Sequence, residues 1–170
     1  MIDTTLSLRL WQQGKVLKQI EGSPITLCSD GVIRFVGDMD IDSDGGANVD
    51  HDPCWAPDTT LHHNGMSIDA QKVPYLVCPI GILELVEPVG LGCQCYAVHL
   101  RTNREAGGVL ADLGPSRKDG ECSAALARRI GVNPNSVNGG ESRKVILYEF
   151  HIGVPAVVDG VTYHLQRLHS

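Results

Sequence analysis

The sequence predicts a mainly β protein of one domain, closed into a small barrel, with one short helix and a β extension at its N-terminus. Apolar residues come in short runs, alternating with polar ones over Leu6–Trp11 and continuous over Tyr75–Ile80, both of which read as strands. The 19 glycines and nine prolines fall between those runs, where turns belong. Ser123 to Gly131 combines an N-cap residue, an apolar face of helical period and a glycine stop, and reads as the one short helix. A chain of 170 residues is one domain's worth and long enough to bury a core. It divides into an extension over 1–37, a barrel over about 38–150 and a tail over 151–170.

In chain order, Leu6–Trp11 alternates apolar and polar and reads as a strand closed by a turn at Gly14. Lys15–Ile20 and Ile25–Cys28 read as two more, separated by Gly22-Ser-Pro24. Ser29-Asp-Gly31 is a turn, and Val32–Val36 a short strand after it. Asp38 to Asn64 is acidic and aperiodic. Tyr75–Ile80 is apolar throughout and reads as a buried strand; Val89–Cys95 and Tyr96–Leu100 extend the sheet. Gly107–Ala111 is a strand that delivers Asp112 just before a Gly114-Pro115 turn, and Glu121 stands at the threshold of the helix. Cys122, Leu126 and Ile130 share that helix's apolar face. Asn133–Gly140 is a loop, Lys144–Phe150 a final long strand, and Val157–Leu165 a strand-like run in the tail.

Composition excludes several function classes. A net charge of −6 without a basic stripe argues against a nucleic-acid partner. No run approaches the roughly 20 apolar residues of a membrane span. No basic segment followed by an apolar one opens the chain, so no Sec-type signal is visible and the compartment stays open. The six cysteines, 28, 54, 78, 93, 95 and 122, lack zinc-ligand spacing and sit mostly in apolar strand contexts, which suits free thiols. Asp40-x-Asp42-x-Asp44-Gly45 opens like a calcium loop, but His51 occupies the twelfth position where a bidentate glutamate belongs. His62 and His63, being adjacent, do not converge on one ion. No metal and no cofactor are expected.

Two carboxylates remain as candidates for chemistry. Asp112 sits at a strand end against Leu110 and Leu113, where partial desolvation would keep its proton. Glu121 sits before a helix, whose dipole favours the ionised form. Two carboxylates on rigid elements are the minimum apparatus for glycoside cleavage, Asp112 as acid and Glu121 as base, with the labels exchangeable. The residues equally allow a loop acid and a glutamate that merely complements the dipole.

Asp112-Leu-Gly-Pro115 followed by Ser123-Ala-Ala-Leu-Ala-Arg-Arg-Ile-Gly131 resembles the signature of double-psi β-barrels of the rare-lipoprotein-A type. The resemblance implies a six-stranded double-psi barrel and a lytic transglycosylase whose aspartate before Gly-Pro is catalytic. Gln71 is the approximate counterpart of a site histidine there, and an amide cannot exchange a proton. A second resemblance covers Gly37 to Phe150. Gly37-Asp-Met-Asp-Ile-Asp-Ser-Asp-Gly45, Val73-Pro-Tyr-Leu-Val-Cys-Pro79, and Asp112 with Gly120-Glu-Cys-Ser123 are similar in order and spacing to family-75 chitosanases. It implies Asp112 and Glu121 as an inverting catalytic pair, with Asp40 and Asp42 meeting substrate amines on the same rim. Ser43 stands where those enzymes usually carry a cysteine.

The expectation is hydrolysis of a β-1,4-linked amino-sugar polymer, chitosan first, with the polysaccharide as partner. An acidic protein suits a polycationic substrate. The alternatives are a peptidoglycan-cleaving transglycosylase or muramidase, delivered as an antibacterial effector with an immunity protein as partner, and a non-catalytic glycan-binding barrel.

Overall fold

The computed structural model describes residues 1–86 and 90–167. Eight strands make one sheet: β1 (Lys15–Ile20), β2 (Ser23–Leu27), β3 (Val32–Asp42), β4 (Tyr75–Pro79), β5 (Cys93–His99), β6 (Arg104–Gly114), β7 (Glu121–Ser123) and β8 (Glu141–Pro155). They run in the order β1-β2-β3-β7-β4-β6-β5-β8, and β8 also pairs with β3. The last six strands therefore close into a barrel, and the β1–β2 hairpin stays outside it. β7 lies parallel to β3, and β4 parallel to β6; the other neighbours are antiparallel. The architecture agrees with the expected closed six-stranded barrel and is compatible with a double-psi fold.

The central strands are buried at consecutive positions, β4 throughout and β8 over Ile146–Phe150, and the scarce aromatic residues are spent on the interior. Both phenylalanines and two of the four tyrosines, Tyr75 and Tyr148, are fully buried. Phe35 stacks on Tyr148 with ring centroids 4.6 Å apart and meets Phe150 edge-on at 5.6 Å. Such pairs add to the area they bury because ring edge and ring face carry opposite partial charge.

The helix α2 (Ala124–Ile130) forms where its signals place it. The Ser123 hydroxyl accepts hydrogen bonds from Leu126 N at 3.2 Å and Tyr75 N at 2.9 Å, and donates to the Val73 carbonyl at 2.8 Å. One hydroxyl thus caps the helix and ties it to β4. Gly131 closes the helix in the left-handed conformation that glycine adopts without strain.

Leu6–Trp11 is a correction. It lies in a helix, α1 (Thr4–Gln13), capped by Asp3, whose carboxylate accepts from Leu6 N at 3.0 Å. The described residues therefore hold two short α-helices, and the extension is a helix followed by a hairpin. Leu6 and Leu10 alternate with polar neighbours, yet they are also one helical turn apart, so a short run satisfies both periods. Tertiary bonds decide between them: the Ser7 hydroxyl donates to Glu149, and Trp11 Nε1 donates to the Pro24 carbonyl at 2.9 Å.

Two strands outrun their sequence boundaries, and both matter for the site. β3 continues through Asp42, and β6 continues through Asp112 to Gly114, so Asp112 lies within a strand. In the tail, Val157–Val158 pairs with Val161–Thr162, and Gln166–Arg167 with Gly90–Leu91. Val89, where an expected strand begins, lies outside the described residues. The cysteines are unpaired thiols, and all but Cys54 are buried. Among the described residues no helix is long and apolar enough to cross a membrane.

Candidate active site

Strand register assembles the site. Glu121 on β7 pairs with Asp40 on β3. Cys122 pairs with Leu76 on β4, which sets Glu121 beside Val77. Val77 in turn pairs with Asp112 on β6. Asp40, Glu121, Val77 and Asp112 thus form one row across four adjacent strands of the barrel wall. The last step depends on a bulge. Leu76 pairs with Leu110 but Val77 with Asp112, so Ala111 is the extra residue. A bulge re-aims the side chain that follows it, and here that side chain is Asp112.

The row opens into a groove of about 410 Å³, walled by Asp40, Asp42, Asp44, Asp52, Asp112 and Glu121, with Ser136, Val137 and Gly139 among its other lining residues. The acidic segment is fastened over it. The Asp50 carboxylate accepts from Ser136 N at 3.0 Å, and Leu61 N donates to the bulged Ala111 carbonyl at 2.8 Å. No aromatic side chain is among the described lining residues.

Asp112 is buried, and its Oδ1 accepts three hydrogen bonds: from Thr60 Oγ1 at 2.6 Å, Leu113 N at 2.9 Å and Thr60 N at 3.0 Å. Three donors on one oxygen leave the carboxylate little freedom to rotate. Asp42 is buried as well; burial, and Asp44 beside it, push its carboxyl up to about 7. Its Oδ1 accepts from Asp44 N at 2.9 Å, and Asp44 Oδ1 accepts from Ala56 N at 2.7 Å. Asp42, Asp44 and Asp112 each place a carboxylate oxygen within 4.8 Å of the others'.

Glu121 departs from the sequence expectation. Burial, reinforced by Asp42, Asp40, Asp112 and Asp44, pushes its carboxyl up to about 8. The dipole of so short a helix is worth ~0.3–1 kcal/mol and falls off within one turn. Glu121 lies in β7, ahead of the Ser123 cap, and its enclosure among carboxylates outweighs the dipole. The enclosure has a steric counterpart: a Cβ at Gly114 would stand 2.9 Å from Glu121 Oε2. A side chain there would displace the Glu121 carboxyl from its present position.

The other anticipated residues separate. Asp40 lies on the groove wall and pairs with Lys118 Nζ at 2.5 Å. Asp40 and Asp42 are extended strand residues, so the calcium-loop geometry does not form. Gln71 does not line the groove. Its Oε1 accepts from Arg128 Nη2 of α2 at 2.7 Å, and its carbonyl accepts from Arg128 Nη1 at 3.0 Å. His62 Nε2 is 2.6 Å from Asp58 Oδ1, in a two-residue ribbon beside the groove's acidic segment. Sequence reasoning missed Thr60, Asp52 and the Ser136–Gly139 segment. Nothing in the local pattern around Thr60 marks it as the partner of Asp112, 52 positions away.

No protein-family model matches the chain, and no curated protein matches it.

Proposed function

We propose that the protein is a glycoside hydrolase that cleaves a β-1,4-linked amino-sugar polymer, chitosan first, by an inverting two-carboxylate mechanism on a barrel of double-psi type. The observation that carries this reading is the placement of Glu121 and Asp112 in one row of one groove, in unlike environments. Two titratable groups whose surroundings differ suit a division into acid and base.

The environments favour the exchanged labels. Glu121, whose carboxyl is raised to about 8, is the general acid. Its proton passes to the glycosidic oxygen as the bond from that oxygen to the anomeric carbon breaks. Asp112, oriented by Thr60 and Leu113 N, is the base. It takes a proton from the water whose oxygen attacks the anomeric carbon from the opposite face. Each turnover leaves Glu121 ionised and Asp112 protonated, and exchange with solvent restores both.

The groove chemistry suits a cationic sugar. Asp40, Asp42, Asp44 and Asp52 line it, and a concentration of negative potential raises the local concentration of a polycation. Without an aromatic platform among its described lining residues, recognition rests on charge and hydrogen bonding rather than ring stacking.

The test is product analysis. Chitosan should yield new reducing ends of inverted anomeric configuration, read by proton NMR during turnover. Anhydro-sugar release from peptidoglycan would replace this reading with the transglycosylase one, favoured by Asp112-Leu-Gly-Pro115. Binding of either polymer without cleavage would leave a glycan-binding barrel.

A further inference from the structure

We propose a divalent-cation site, distinct from the groove and independent of the hydrolase reading, formed by Glu21, Asp38 and Asp119. The three come from separate parts of the chain: the β1–β2 turn, β3, and the segment between β6 and β7. Each offers a carboxylate oxygen within 4.8 Å of the other two.

A cluster of acids alone would mean little, since exposed carboxylates gather on many surfaces. Here the deepest member is fully buried. Asp119 has 0% exposure, and its Oδ1 meets no donor. Asp38 Oδ1 is likewise enclosed without a donor. Buried carboxylate oxygens require a partner, and the Asp38 and Asp119 carboxyls lie within hydrogen-bonding reach of each other, so that either a shared proton or a cation must stand between them. The backbone is shaped around the buried group: a Cβ at Gly37 would stand 2.8 Å from Asp119 Cγ.

The charge and ligand type select the occupant. Lys144 Nζ donates to Asp119 Oδ2 at 2.7 Å and to Ser23 Oγ at 3.1 Å, and the other ammonium near the group, Lys118, is paired with Asp40, so Lys144 is the one cation left to offset the three carboxylates. Ionised, the group keeps an excess of two negative charges, which one divalent ion matches. All three ligands are hard oxygens, which favour calcium, then magnesium or manganese, over softer metals. Glu21 is exposed and opens the site to solvent, and its Oε2 also accepts from Asp119 N at 3.4 Å. An ion there ties the outer hairpin to the Lys118–Gly120 segment, which leads directly into Glu121.

The experiment is calcium titration of EDTA-stripped protein, followed by calorimetry and thermal unfolding, with magnesium and manganese in parallel. One saturable site is expected, with a melting temperature that rises with calcium. Glu21→Gln, on an exposed turn, should weaken binding about tenfold while the protein still folds. Asp44→Asn, in the groove cluster, should leave binding intact. Absence of binding by all three ions up to about 10 mM overturns the proposal. So does binding that survives Glu21→Gln and is lost with Asp44→Asn. A pH-dependent melting temperature indifferent to every cation would show Asp38 and Asp119 sharing a proton instead.

Discussion

Glu121 and Asp112 stand two strands apart in one row of the barrel wall, with Val77 between them. Neighbouring strands lie about 4.8 Å apart, so two steps separate the backbones by roughly 10 Å. That scale suits the roughly 6.5–9.5 Å of inverting carboxyl pairs better than the ~5 Å of retaining ones. Glu121→Gln and Asp112→Asn should each lower chitosan turnover by about 10²–10⁴-fold, the usual worth of a general acid or base. Azide should restore activity to Asp112→Ala, where it replaces the activated water, and not to Glu121→Gln. A Glu121→Gln enzyme within threefold of wild type would remove the acid from this scheme.

The pH dependence follows from the same carboxyl. Activity that needs protonated Glu121 should fall as pH rises through about 8. Stability carries a matching sign. Between 4.5, the ordinary glutamate value, and about 8, the folded state holds a proton that the unfolded state has released. Unfolding free energy therefore decreases with rising pH across that window and levels off above it. Asp42, raised from 3.8 to about 7, adds a slope of the same sign over its own range. In Glu121→Gln the portion of the slope due to Glu121 should vanish, as chemical denaturation at several pH values would show.

Thr60 supplies two of the three hydrogen bonds that orient Asp112. Thr60→Val keeps the shape and the backbone donor but removes the hydroxyl. A hydrogen bond to a charged group is worth about 1.5–3 kcal/mol, so kcat should drop roughly 10- to 100-fold with KM little changed. A change confined to KM would show that Thr60 contacts substrate rather than positioning Asp112.

The reach of the sequence is clearest at these residues. The helix α2, its Ser123 cap and its Gly131 stop were readable because each rests on a local rule. So were most strands, but Asp112, expected at a strand end, lies within β6, and Glu121, expected at the helix threshold, opens β7. The Ala111 bulge was not readable, because Val109, Leu110 and Ala111 form one apolar run with nothing to mark the extra residue, and only the β4 register reveals it. The protonation of Glu121 was hidden for a related reason. Local reasoning saw the helix start, whereas the raised carboxyl comes first from burial in the barrel wall and then from Asp42 and Asp40 on a strand about eighty positions earlier. Leu6–Trp11 failed because a short run fits both periods, and its tertiary partners, Glu149 and Pro24, decide the outcome.

Those partners give the last prediction. Glu149 is buried on β8, where Arg34 Nε donates to its Oε1 at 2.7 Å and His151 Nε2 lies 2.9 Å from its Oε2. Ser7 of α1 donates to the same Oε1, so this carboxylate fastens the helix to the barrel. Burial opposes its charge, but the bonds from His151, Ser7 and Arg34 prevail and hold the carboxyl down at about 2. A carboxyl lowered on folding stabilises above its unfolded value of 4.5 and loses that contribution as pH falls toward 2. Glu149→Gln should remove the acid-induced loss and destabilise the protein at neutral pH. Arg34 would keep only Asp30, at the surface end of its guanidinium, as a charged partner, and breaking a buried pair on one side costs about 3–5 kcal/mol. Ser7→Ala should cost less, about 1–2 kcal/mol, and should loosen α1 first. Hydrogen exchange would then show Thr4–Gln13 amides losing protection while β3 and β8 keep theirs; equal loss in all three would mean that helix and barrel unfold as one unit.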